Sequence, residues 1–111
     1  MVTLEDLVAR HTAICDFART LVTARGKEYA TTEDTLSTFK SAGHFIGGKG
    51  STSCMNLMAT KMSRIREQVL NKRDPSDSIH DLINYTIYLK VLLEEESKET
   101  LAFVPTGGII R

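Results

Sequence analysis

The chain has no surplus of either charge. Fourteen Lys and Arg stand against fourteen Asp and Glu. A protein that coats nucleic acid with its whole surface is basic overall, so duplex nucleic acid is not an expected partner. The chain also lacks an uninterrupted apolar run long enough to cross a membrane, so no membrane association is expected. Its first residues include Leu4, Glu5 and Asp6, without the basic start and apolar centre of a signal peptide. A cytoplasmic protein is expected. Cysteine is scarce, with only Cys15 and Cys54. Reduced thiols are the cytosolic default, and both read as small buried hydrophobes. There are no internal repeats and no low-complexity tracts.

What remains is ordinary globular composition, 41% apolar and 25% charged, over 111 residues. That length makes one domain with a modest core, for which self-association would add stability. The expected fold is all-α: a four-helix domain over 1–99, followed by an extended apolar C-terminal arm, 100–111.

The first helix is expected over 3–25. Thr3-Leu-Glu-Asp6 opens it as a capping box with Asp in place of Glu. Leu4, Leu7, Val8, Ile14, Cys15, Ala18, Leu21 and Val22 form one apolar stripe. Gly26 is expected to close it in a left-handed turn. A short second helix is expected over 33–42, capped by Thr31 or Thr32 and ended by Gly43. The four glycines of 43–50 predict a loop over 43–53, with Ser51, Thr52 and Ser53 as caps for the next helix.

Two long helices then form an antiparallel hairpin, about 53–72 and 75–96, broken at Asp74-Pro75. Met55, Met58, Met62, Ile65 and Val69 make the expected seam of one. Ile79, Leu82, Thr86, Leu89 and Leu93 make that of the other. Glu94, Glu95 and Glu96 end the last helix on its solvent side, against the helix dipole.

Three stretches carry candidate chemistry. Gly43-x4-Gly48-Lys49 falls short of a phosphate-binding P-loop, because Gly50 replaces the metal-holding hydroxyl and no strand precedes it. It reads as a connector, or as a weak anion site at a helix start. His11 and Cys15 have a legal zinc spacing, but nothing near supplies the other ligands. The polar side of the hairpin is richer. Lys61, Arg64, Gln68 and Lys72 follow one another on one helix, and Asp77, Asp81, Tyr85 and Tyr88 on the other. Phosphate suits the cations, and a base or ribose suits the rings and carboxylates. The plain alternative is a solvated face of ion pairs, each worth about 0–1 kcal/mol.

Arg25-Gly-Lys27-x-Tyr29, Lys61 before Met62-Ser-Arg64-Ile65, and Asp77-Ser-x-x-Asp81-Leu-x-x-Tyr85 together resemble a family of small all-helical bacteriophage proteins of unassigned function. The likeness spans about residues 18–93, and Ala30 stands where that pattern usually has Gly. More distantly, Asp81-Leu-x-x-Tyr85 is similar to the last motif of MazG-type all-α nucleotide pyrophosphohydrolases. Those enzymes carry Glu-x-x-Glu for magnesium where this chain has Lys61-x-x-Arg64. Small phage proteins of this size and class also capture cyclic-nucleotide signals of host immunity, usually as oligomers.

The resemblance and the polar face together imply a non-enzymatic phage protein that binds a nucleotide-like phosphorylated ligand, with no metal or cofactor and no catalytic residue. In that reading Lys61 and Arg64 hold phosphate, and Tyr85 or Tyr88 stacks. Asp77 and Asp81 position the cations or accept from ribose or base, and Arg25, Lys27 and Tyr29 close the site. A homo-oligomer is expected. One alternative is a protein-interaction module, with a host protein as partner, acting through the last helix and the apolar arm. The other is a magnesium-dependent pyrophosphohydrolase using Asp77, Asp81 and Glu67.

Overall fold

Thr3 opens the first helix as its residues dictate. Its hydroxyl accepts from the Asp6 amide at 3.1 Å, and the Asp6 carboxylate accepts from the Thr3 amide. The computed structural model describes residues 1–26 and 34–100, without the side chains of 99 and 100. It contains α1 (Leu4–Arg25), α2 (Ser37–Phe45), α3 (Gly50–Leu70) and α4 (Ser76–Thr100). There is no strand among the described residues, so the fold is all-α. The expected caps Thr31 and Thr32 and the arm 101–111 lie outside the described residues.

The antiparallel α3–α4 hairpin is the body of the fold, with α2 packed on α3 and α1 on α4. Its corner is built by local chemistry. Lys72 takes φ 56°, its amide donates to the Val69 carbonyl, and the Arg73 amide donates to the Gln68 carbonyl. This is a Schellman closure with lysine where glycine is usual. Asp74 then caps α4 by accepting from the Ser76 amide at 2.9 Å, with Pro75 at the first helical position.

The core sits at the end of the hairpin away from that corner. Leu36, Phe39, Cys54, Tyr85 and Leu92 are buried there. The Phe39 ring lies 6.1 Å from Tyr85 and 5.8 Å from Tyr88, each contact worth about 0.5–1.5 kcal/mol beyond its buried area. The buried Ser53 hydroxyl donates to the Phe39 carbonyl at 2.7 Å, and the Cys54 thiol donates to the Tyr85 carbonyl at 3.2 Å. These bonds tie α2 and α4 to α3.

Several local expectations are corrected. Gly26 does not turn left-handed but continues right-handed at φ −54°. Gly43 does not end α2; it lies inside the helix, buried. A Cβ there would come within 2.1 Å of the Lys49 carbonyl oxygen. Gly50 begins α3, and a Cβ on it would meet Leu92 at 3.0 Å. These two glycines serve close approach rather than freedom. Only residues 46–49 are loop, and Gly47 carries the positive φ, 73°. Ser51 and Ser53 are buried within α3 rather than capping it.

The seam is also displaced from the expected one. Met55, Met62 and Val69 are exposed, as is Ile79. The positions that face inward on α3 are Ser51, Cys54, Met58, Lys61, Ile65 and Gln68; on α4 they are Ser78, Asp81, Tyr85, Tyr88 and Leu92. Both sets step by three and four. Of the polar residues expected on an outer face, Lys61, Gln68, Asp81, Tyr85 and Tyr88 therefore lie inside the hairpin, while Arg64, Lys72 and Asp77 stay exposed.

Candidate functional site

Asp81 is the centre of the polar interior. Its Oδ2 takes the Lys61 ammonium at 2.8 Å, and its Oδ1 takes the Arg25 guanidinium at 2.7 Å. The three side chains are 16%, 14% and 39% exposed. Each comes from a different helix: Arg25 from the last turn of α1, Lys61 from the middle of α3, Asp81 from the second turn of α4. Asp81 and Lys61 lie where water is largely excluded, and charge-assisted hydrogen bonds are strong there.

Asn84 completes the joint. It is buried, and its Nδ2 donates to the Ala18 carbonyl at 3.0 Å. Ala18 is the one α1 residue that is fully buried. Nearby, Phe17 of α1 stacks on His80 of α4, with ring centroids 4.7 Å apart. Between Arg25, Asp81, Asn84 and the two tyrosines lies a cleft of about 10 Å³, room for little more than a water molecule.

Of the residues singled out from sequence, Arg25, Lys61, Asp81, Tyr85 and Tyr88 meet here. Arg64 and Asp77 do not. Both are exposed, one helical turn from Lys61 and Asp81, and neither makes an ion pair or hydrogen bond among the described residues. Lys27 and Tyr29 lie outside the described residues; the chain passes to them directly from Arg25 and Gly26. Tyr85 is buried against Phe39, and Tyr88, packed on both rings, is half-buried. Asn84 was missed as a site residue. Its signal was a carboxamide next to Tyr85, in a helix otherwise apolar at that level.

The glycine-rich connector is not an anion site. The groove beside it, about 250 Å³, is lined by Lys40, His44 and Lys49 but also by Glu95 and Glu96. Glu96 accepts from the Ser51 hydroxyl at 2.6 Å, and so sets the chain's own carboxylate at the positive end of α3. Lys40 pairs with Glu95 at 2.8 Å and with Asp34. Those bonds hold Asp34 below, and Lys40 above, their ordinary ranges. The glutamates are thus partly buried and partnered within a helix that runs on to Thr100, not at a solvated end.

His11 Nδ1 and Cys15 Sγ stand 3.9 Å apart, and among the described residues no three His, Cys, Asp or Glu side chains gather as metal ligands. The acids named for a magnesium site are dispersed. Asp81 holds its two cations, Glu67 pairs with Arg73 near the corner, and Asp77 faces solvent. Among the described residues no helix is long and apolar enough to cross a membrane. Compared with protein-family models, with curated proteins and with solved structures, the chain matches none.

Proposed function

We propose that the protein binds a phosphorylated, nucleotide-like small molecule at the junction of α1, α3 and α4, without making or breaking bonds in it. The observation that carries this reading is the Asp81 pairing. One carboxylate holds Arg25 and Lys61 together inside the hairpin seam, where an apolar pair would pack at lower cost. Phosphate replaces one or both contacts of Asp81 with charge-assisted bonds to the same two cations. Arg64, exposed one turn beyond Lys61, reaches the outer phosphate oxygens. Asn84 and Tyr88 offer an amide and a ring to the sugar or base.

The cleft is narrow, so binding swings Arg25 away from Asp81. In the setting that the family resemblance implies, a bacteriophage accessory protein, such binding sequesters a nucleotide signal of host defence.

Thermal shift against nucleoside mono-, di- and triphosphates, cyclic dinucleotides and ADP-ribose derivatives tests the reading. A ligand at a hundred times its Kd stabilises the folded chain by about 2.7 kcal/mol, a shift of several degrees. No shift across the panel contradicts the proposal.

A further inference from the structure

The apolar stripe of α1 is continuous along the helix, but among the described residues only its second half has a neighbour. From Cys15 onward it lies on α4, with Ala18 1% exposed. Ahead of that, Leu4, Leu7 and Val8 are 77%, 56% and 57% exposed on the same side of the helix. About three turns of helix thus project without tertiary support, a length that is marginal in water by itself. The projecting half overhangs a groove of about 490 Å³ between α1 and α4, floored by Ile83 and Ile87 and edged by His11, Cys15 and Arg19. The groove opens on the opposite flank of α1 from the Asp81 cleft. Leu21 and Arg25 face the cleft, while Cys15, Arg19 and Val22 face the groove.

We propose that the groove receives the projecting half of α1 from a second copy of the chain, the two copies related by a two-fold axis that sets their α1 helices antiparallel. Three observations select this occupant. The stripe and the groove are both apolar and both on one chain, so a two-fold satisfies each copy's stripe with the other's groove and leaves nothing open. Charge fixes the direction. Glu5 and Asp6 lie in the first turn and Arg19 at the groove, fourteen residues on from Glu5 and about 21 Å along the axis. Antiparallel helices bring those acids to the partner's Arg19, whereas parallel ones bring like charges together. Among the described residues Arg19 pairs only with the exposed Asp16, at 3.0 Å, a contact of little energy. Ile87 of the groove floor and Val91, one turn further along α4, are themselves exposed, 54% and 42%, and extend the apolar face that α1 leaves open.

The groove shares Asn84 and Tyr88 with the Asp81 cleft, but the inference does not depend on a ligand binding there. Multi-angle light scattering and sedimentation of the full chain, from low micromolar to submillimolar, test it. The expected mass is twice 12.3 kDa, falling to 12.3 kDa on dilution. Leu7→Glu, at a position 56% exposed, leaves a cooperative urea unfolding transition in place and the protein monomeric. Glu5→Arg weakens association about tenfold, and adding Arg19→Glu restores it. Three results overturn the proposal: a monomer at every concentration, whatever then covers the face; an oligomer indifferent to Leu7→Glu; or a double variant no tighter than Glu5→Arg.

Discussion

The carboxamide of Asn84 donates to the Ala18 carbonyl at 3.0 Å, and both residues are buried. The bond spans 66 positions in sequence and pins α1 to α4 where the two helices cross. It also fixes where Arg25, two turns on, meets Asp81. Asn84→Ala removes the donor, opens a small cavity, and is expected to cost about 1–3 kcal/mol. Hydrogen exchange should then show α1 losing protection while the α3–α4 hairpin keeps it. Equal loss in all four helices would show that the bond does not act locally on α1.

The Asp81 pairing makes an asymmetric prediction. Asp81→Ala leaves two partly buried cations facing each other and is expected to destabilise the chain by about 2–3 kcal/mol. Lys61→Met keeps the apolar stem in the seam and leaves Asp81 with Arg25, so its cost should stay below about 1 kcal/mol. Urea denaturation of the two variants reads the difference. A Lys61→Met variant as damaged as Asp81→Ala would mean that the ammonium is there for stability alone.

Much of the fold was legible because local chemistry wrote it. Thr3 with Asp6, and Asp74 with Pro75, mark helix starts that depend only on neighbouring residues. The interior of the hairpin was not legible in the same way. Apolar residues at three- and four-residue spacing pointed to Met58 and Ile65, which face inward, but also to Met55, Met62 and Val69, which are exposed; Cys54, Lys61 and Gln68 take the inward places instead. A lysine and an aspartate that neutralise each other across a seam carry no apolar signal, so a count of hydrophobic period passes over them. The glycines misled for a related reason. Gly43 and Gly50 are there for close approach, of the Lys49 backbone to one and of the Leu92 and Lys40 side chains to the other, not for a turn. Of the site, the pattern of cations, carboxylates and tyrosines named five residues that meet. It could not tell them from Arg64 and Asp77, which share their helix faces to within one turn.

Lys72 gives a test that does not involve the site. It holds a left-handed φ of 56° at the end of α3. Lys72→Gly removes the Cβ strain while keeping the two closing hydrogen bonds, and should raise stability by about 1 kcal/mol. A loss of stability would indicate that the lysine side chain contributes more than the strain costs.

The two thiols should separate by reactivity. Cys54 is fully buried and its thiol is pushed up to about 11 by that burial, from an ordinary 9.0. Iodoacetamide at neutral pH should modify half-buried Cys15 and leave Cys54 intact until the chain unfolds. The same shift has a consequence for stability. The folded state retains the Cys54 proton after the unfolded state has lost it, so this contribution is complete below pH 9 and is lost as pH rises towards about 11. Cys54→Ala should flatten the alkaline limb of the stability profile. An unchanged limb would place its cause elsewhere.

The most direct test of the ligand site is isothermal titration of wild type and Lys61→Met with whichever phosphorylated nucleotide gives the largest thermal shift. The account predicts saturable binding by wild type that weakens as salt rises, and a loss of at least about tenfold in Lys61→Met, the charge-assisted bond being worth about 1.5–3 kcal/mol. Equal affinity in the two proteins, with both folded, would contradict it.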